Sequence, residues 1–480
     1  MSLYKMIEEI LNSTETENGD KAVKSTLSRN LDLFGVMGAM RFAPEEEKTK
    51  LLKFALSENP VLAVANMMYL RDVRGGMGER NSFRQMLRFL IEANPELAQN
   101  LLPHVPALGR WDDMLVFLDY PQTKDRAILL IKETLAVDSI SDNPSLCAKW
   151  MPSENASSKT TKEYATVLRR GLGLTPKMYR KNLSAIRGKL NLIENYLRTG
   201  NYESVDYSHV PSQAMNKYRR AFERNDEVGF EAYLEALTKG ETKVNVGALH
   251  PHEIIKDYGF GWGYTDMNWP LAQAQWDALE RSTSDKKTIV VRDGSGSMTG
   301  LPMRVSTALA ILMSEQLTGD FKDAFITFSS RPQLVKFPLN ASLKEKLEIT
   351  DEYDDMSNTN IEKVYQLIYD AIKENPEENR IDNILIISDM QFDTGVDGDT
   401  STYQSFKRKF DALGVATPEV VFWNVDADGA VQFPATKHDN VKLISGFSNA
   451  VLQAVLHDET LSAESFMMET LLPYINLLSL

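Results

Sequence analysis

Residues 288–300 read TIVVRDGSGSMTG. A β-branched apolar run stops at Arg292-Asp293, and glycine and serine steps then lead into a segment of helical spacing. Such a run fits a buried strand, because branched side chains fill a pleated surface. Three more stretches share the texture, DAFITFS (323–329), NILIIS (383–388) and EVVFWNV (419–425), and each precedes a helical segment. Strands alternating with helices predict a mostly parallel sheet covered on both faces. Ligands of such sheets sit at strand carboxyl ends, near the point where strand order reverses. The run ending at Asp293 supplies one such end.

Asp293, Ser295 and Ser297 form D-x-S-x-S. In extended backbone, alternate side chains point the same way, so these three oxygens converge. One carboxylate and two hydroxyls make a hard donor set suited to Mg²⁺, and less selectively to Mn²⁺ or Ca²⁺. Further oxygens are expected from other strand ends: Thr359 in DDMSNTNIEKV and Asp389 directly after NILIIS. The alternative use of Ser295 or Ser297 is to cap a helix by accepting backbone N–H bonds. Other chemistries fit less well. No lysine follows Gly294 or Gly296 at Walker A spacing. Neither serine has the flanking glycines of a nucleophile elbow, and no Ser-His-Asp set is legible, so a non-enzymatic protein is expected.

The chain has 480 residues, enough for two or three domains, and no apolar run approaches the ~20 residues that span a bilayer. No signal peptide is readable at the N-terminus. A single cysteine, Cys147, cannot form an internal disulfide and reads as a small buried residue in a reducing compartment; a cytoplasmic protein is expected. Basic and acidic residues balance over 1–290, so nearly all of the net charge of −14 lies beyond.

Residues 1–285 carry helical spacing, as in LLKFALSENPVLAVANMMYLRDV and SFRQMLRFLIEANPELAQNLLPHV. Breaks at Asn59-Pro60, Asn94-Pro95 and Pro103 recur at hairpin intervals and predict a helical solenoid. Two glycine- and arginine-bearing stretches, RDVRGGMGERNSFR and LPHVPALGRWDDML, read equally as helix caps and turns with solvated arginines. Residues 240–285 mix glycine, proline and aromatics and read as a connector; His250, His252 and Glu253 there fit turn hydrogen bonds better than a metal site. The C-terminal ESFMMETLLPYINLLSL is apolar enough to need burial as a helix.

Residues 286–480 resemble a von Willebrand factor A domain, whose metal-ion-dependent adhesion site begins with D-x-S-x-S and continues with a loop threonine and a loop aspartate. The resemblance implies that Ser295, Ser297 and Thr359 touch the metal directly, with Asp293 and Asp389 acting largely through water. It also implies an open position for an acidic side chain from a partner protein. Arg292 then either balances the acidic rim or pairs with the helical half.

A helical array ahead of such a domain resembles the TROVE/Ro family of RNA-binding ribonucleoproteins. It is closer still to a related domain-of-unknown-function family of bacteria, phages and plants. The segments that carry this are RDVRGGMGER (71–80), LGRWDDML (108–115), KWMPSEN (149–155), NVGALHPHEI (245–254), VRDGSGSM (291–298) and SDMQFD (388–393). The implied architecture is an α-helical repeat (HEAT-like) domain over 1–285 and an α/β, Rossmann-like A domain over 286–480. It implies RNA binding by the helical part, which in that family closes into a ring. The densest basic cluster, Arg169, Arg170, Lys177, Arg180, Lys181, Arg187 and Lys189 with Tyr164 and Tyr179 interleaved, is the candidate RNA surface, its bland counterpart being a solvated helix face. The competing function is a metal-dependent protein-interaction scaffold that binds no RNA. Neither reading involves a membrane.

Overall fold

The strands announced by the sequence form one sheet. In the computed structural model, which describes residues 7, 10–190, 192–247, 249–260, 265–284, 286–329, 331–354, 359–376, 378–395, 401–427, 431–457 and 462–478, they are preceded by a short pair near the N-terminus. In chain order the strands are β1 (Ser13–Glu15), β2 (Lys21–Val23), β3 (Thr288–Asp293), β4 (Ala324–Phe328), β5 (Leu334–Lys336), β6 (Asn383–Ser388), β7 (Glu419–Asn424) and β8 (Val441–Ser445). The chain divides into two compact units. One comprises Met1–Asn66, Gly75–Met77 and Val246–Leu472, the other Met67–Arg74, Gly78–Asn245 and Pro473–Leu480. The units are therefore not consecutive halves of the chain.

The first unit holds the six-stranded sheet, in the order β5-β4-β3-β6-β7-β8. All neighbours are parallel except β4 and β5, which pair antiparallel. β3 and β7 are buried along their whole length, as expected for strands covered on both faces. Each such Ile, Val or Leu side chain contributes about 1.5–3 kcal/mol on leaving water. The helix Leu301–Gln316 is buried almost all round, and small Ser306, Ala308 and Ala310 allow its close approach to the sheet. On the helix Ile361–Glu374 only one stripe is buried, Ile361, Val364, Tyr365, Ile368 and Ile372, and Asn360 caps it by accepting from Lys363 N at 3.0 Å. Tyr365 stacks on Phe406 of the helix Thr402–Leu413 at 4.2 Å between centroids.

The N-terminal segment belongs to this unit. β1 and β2 form a three-residue antiparallel ladder, and bridges join Gly19 to Asp393 and Val23 to Phe433. Three residues are too few to show alternation, so these strands are absent from the sequence reading; partners some 370 and 410 positions away stabilise them. The helix Arg29–Val36 meets β8: Gly38 N donates to Ser445 Oγ at 3.0 Å, and that hydroxyl donates to the Phe34 carbonyl at 3.3 Å. A Cβ at position 38 would come within 2.6 Å of Gly446 N, so only glycine allows this approach. Phe466, on the C-terminal helix Ala463–Leu478, meets Phe34 edge-on at 5.9 Å, which buries part of the apolar tail.

The second unit is mostly helical, as the spacing predicts. The helix Asn81–Ala93 buries Phe83, Met86, Leu87, Leu90 and Ile91 on one face. Asn94 ends it and starts the next, donating its N–H to Leu90 O at 2.8 Å while its Oδ1 accepts from Leu97 N at 3.1 Å, with Pro95 in the first turn. Thus the Asn-Pro break is a double cap. Tyr207, Phe222, Phe230 and Tyr233 form an aromatic cluster with centroids 5.1–6.2 Å apart. Cys147 is fully buried, and burial pushes its thiol up, so it carries no thiolate at neutral pH. Among the described residues, no helix is long and apolar enough to cross a membrane.

Candidate metal centre at the strand ends

Parallel register sets Arg292 beside Ile387, which brings Asp293 to the level of Ser388 at the carboxyl ends of β3 and β6. These are the central strands, and the order reverses between them: from β3 the chain steps out to β4, then returns to the other side as β6. Asp293 has no exposed surface. Its Oδ1 accepts from Ser295 N at 2.9 Å and its Oδ2 from Ser388 Oγ at 2.5 Å. Ser388 Oγ in turn accepts from Met390 N at 3.1 Å, so its proton is aimed at Asp293. Met390 reaches that position with φ of +65°, a strained conformation for a non-glycine residue. Asp389, also buried, accepts from Gln391 N at 3.1 Å.

The serines of the motif are nearby. Ser295 Oγ and Ser297 Oγ lie 3.1 Å apart, Ser295 buried and Ser297 exposed. Neither caps a helix: Ser295 makes no capping bond to the turn Gly296–Met298, and the helix Leu301–Gln316 begins at Gly300. The capping alternative is excluded. Thr359 is buried just before the helix Ile361–Glu374, and its carbonyl accepts from Asp393 N at 3.0 Å, which ties its loop to the one after β6. Residues 355–358, which precede it in the quoted loop, lie outside the described residues.

Burial raises the Asp293 carboxyl well above the usual range, and the Asp389 charge raises it further; hydrogen bonds from Ser388 and Ser295 only partly oppose this. Among the described residues, no positive charge offsets Asp293 against this neighbouring acid. The donor set fits a hard divalent cation, with Asp293, Ser295, Ser297 and Asp389 gathered and Thr359 on the adjoining loop. Among the described residues, no three His, Cys, Asp or Glu side chains converge on one point, so the available donors are two carboxylates and hydroxyls.

Arg292 takes neither role expected of it. It is 1% exposed and forms a two-pronged ion pair with Asp354, at 3.0 Å through Nη2 and closer through Nη1. It also donates from Nε and Nη2 to Thr307 Oγ1 at 3.1 and 2.7 Å. Both partners belong to the α/β unit, so Arg292 fastens the loop after the helix Leu343–Glu352 to the helix Leu301–Gln316. Ser388 and Asp354 escaped the sequence reading. An adjacent Ser-Asp at a strand end, and an acid run ahead of the loop threonine, were the available signals.

The predicted basic cluster divides. Arg187 donates to the Ala148 and Met151 carbonyls, both at 2.7 Å, and to Ser153 Oγ at 3.1 Å. Lys189 donates to the carbonyls of Ser139 and Ser141 at 3.0 and 2.9 Å, closing the end of the helix Pro121–Ile140. Glu154 holds Arg169 at 2.9 Å and Arg180 at 3.2 Å. Tyr179 is buried and donates to Pro152 O at 2.8 Å, while Tyr164 donates to Asp119 at 2.7 Å. Arg170, Lys177 and Lys181 remain as exposed charges. His250 starts the short helix Pro251–Ile254 in a reciprocal cap with Glu253, and buried His252 stacks on it at 5.6 Å. His250 serves the turn, while His252 packs by its ring.

Comparison with known proteins divides the chain near residue 287. Residues 287–471 match the family described as Domain of unknown function (DUF7788), and residues 155–290 match Domain of unknown function (DUF2828). Uncharacterized protein L728 of Acanthamoeba polyphaga mimivirus is 30% identical over 514 aligned positions, covering 97% of this chain and 88% of that protein. The crystal structure of the Deinococcus radiodurans Ro (RSR) protein superposes with a TM-score of 0.50 at 15% identity, covering 93% of this chain and 99% of that one. The fold is therefore Ro-like: a helical region with a mostly parallel α/β unit.

Proposed function

This chain belongs to the same family as the mimivirus protein L728, and on that premise we propose that it is an RNA-associated, Ro-like binding protein whose α/β unit holds a divalent cation. The role is binding rather than catalysis. Asp293 carries the metal half of this reading, as a fully buried carboxylate raised by the charge of another acid, Asp389. Mg²⁺, or Mn²⁺ or Ca²⁺, bound by Ser295, Ser297 and Thr359, with Asp293 and Asp389 in support, neutralises both. Support for the RNA half comes from the Ro-like fold, the family resemblance and exposed cations on the helical unit. Isothermal titration with Mg²⁺ and filter binding with single-stranded RNA test the halves separately. The expected results are Mg²⁺ binding that Asp293→Ala abolishes, and RNA affinity that falls steeply with salt. No heat with any of the three cations refutes the first half; no RNA retention at low salt refutes the second.

The exposure of Ser297 favours a second reading, a protein-interaction scaffold without RNA binding. Here a partner's carboxylate completes the metal coordination. Capture of a partner that EDTA and Asp293→Ala both abolish supports it, and capture indifferent to both excludes it.

A further inference from the structure

Two buried or half-buried acids organise the arginines of the helical unit. Asp113, with no exposed surface, accepts from Arg71 Nε at 2.8 Å, Arg84 Nε at 2.6 Å and Arg110 N at 3.0 Å. Asp112 accepts from Arg110 Nε at 2.9 Å and lies 3.0 Å from Arg84 Nη2. The Arg110 guanidinium rests 3.9 Å from the centroid of the Trp150 ring. The two carboxylates thus fix Arg71, Arg84 and Arg110 in place.

Two further arginines lie on the same helix. Arg80, Arg84 and Arg88 recur every four residues at and along the helix Asn81–Ala93, forming one stripe about 12 Å long. Neither Arg80 nor Arg88 makes a side-chain hydrogen bond or ion pair among the described residues. Partial burial holds the Arg80 guanidinium below its usual range, and the like charges of Arg110 and Arg84 add to this. The acids that act on Arg80 are Asp112 and Asp113, both already engaged. Glu92, one turn beyond Arg88, interacts with the Tyr120 hydroxyl. Tyr164 lies within electrostatic reach of Arg84 and Arg88. Arg84 and Arg110 thus keep their acids, while exposed Arg80 and half-buried Arg88 have no ion-pair partner among the described residues and are open to an anion. The planar fork of arginine matches the oxygens of phosphate.

We propose that Arg80, Arg84, Arg88 and Arg110 form a track for the phosphates of single-stranded RNA, separate from the basic cluster at 169–189. The proposal rests on the RNA-associated reading and deepens it by naming the surface. Its preference for RNA over an acidic peptide comes from the regular stripe and from Tyr120 and Tyr164 beside it, which offer rings to bases. The cluster at 169–189 has three of its arginines and one lysine tied to carbonyls or to Glu154, as Arg84 and Arg110 are tied to Asp112 and Asp113; Arg80 and Arg88 are the uncommitted members of the stripe.

The test is fluorescence anisotropy of the full chain with labelled oligouridylate across a salt series. Arg80→Gln with Arg88→Gln should weaken binding about tenfold or more at low salt and flatten the log–log salt slope by about 1.4, the share of two phosphate contacts. Arg80→Lys with Arg88→Lys should keep most of the slope. Arg170→Gln, Lys177→Gln and Lys181→Gln together should weaken binding less than the Arg80 and Arg88 glutamine pair does. If the glutamine pair melts early, each single variant still reports about half of the slope change. Wild-type affinity and slope in the glutamine pair overturn the track and leave the RNA reading standing. A wild-type chain that binds no oligouridylate at low salt overturns both. Polyglutamate binding that the glutamine pair abolishes, with oligouridylate binding intact, assigns the stripe to an acidic protein instead.

Discussion

Asp113 and Asp293 are both aspartates with no exposed surface, and their surroundings are opposite. Asp113, in the helical unit, is gripped by Arg71 and Arg84 and by the Arg110 N–H, so its charge is answered within the chain. Asp293, in the α/β unit, receives only neutral donors, Ser295 N and Ser388 Oγ, and faces the charge of Asp389. Burial alone therefore does not mark a site; the missing counter-charge does. By that criterion Asp113 is architecture, Asp293 is the proposed cation site, and Arg80 belongs to the proposed anion track.

The largest expected effect attacks the answered charge. Asp113→Ala leaves Arg71 buried and unpaired, and urea denaturation should show the helical unit destabilised by about 3–5 kcal/mol, with or without Mg²⁺. Asp293→Asn should behave otherwise. In chelator it removes a buried like-charge pair, so stability should hold or rise. A loss as large as that of Asp113→Ala breaks the comparison.

The next effect is of cation binding. In wild type, Mg²⁺ at about a hundred times its dissociation constant should stabilise the α/β unit by about 2.7 kcal/mol. A thermal melt reads this as a shift that EDTA reverses and Asp293→Asn lacks.

Asp20 separates burial from ligand need. It accepts from Thr402 Oγ1 at 2.9 Å, yet burial pushes its carboxyl up to about 6. Its folded value exceeds its unfolded one, so the native state binds the extra proton between about pH 4 and pH 6, and stability falls as pH rises through that window. Asp20→Asn removes this term. The stability of wild type relative to the variant should drop by up to about 3 kcal/mol from pH 4 to pH 7. A pH-independent difference refutes the assignment.

The smallest effect divides the basic cluster. Arg187→Ala leaves two carbonyls and a hydroxyl without their donor and should cost about 2 kcal/mol. Arg170→Ala, at an exposed side chain, should stay within about 0.5 kcal/mol of wild type. Equal losses in urea melts erase the division.

Much of the α/β unit was legible because its cues are local. Apolar runs spaced by helices predict parallel strands, and D-x-S-x-S at a strand end predicts convergent oxygens. The Asn-Pro breaks were legible for the same reason, since cap chemistry lies within four residues. Ser388 was less so, because its proton reaches Asp293 only through strand register. Composition could not divide the basic cluster: a count of lysines and arginines does not separate Arg187, bound to carbonyls, from Arg170, facing water.

The sequence by itself determined β3, β4, β6 and β7 with the helical spacing around them, the strand-end oxygens and the acidic character of the second part, since periodicity, motif spacing and charge are properties of neighbours along the chain. Tertiary structure decided the rest. It returned residues 1–66 to the α/β unit through Gly38 against Gly446, paired Arg292 with Asp354, and set Asp112 and Asp113 between three arginines. Whether a charge is satisfied depends on groups brought near by folding, and their separation along the chain carries no trace of it.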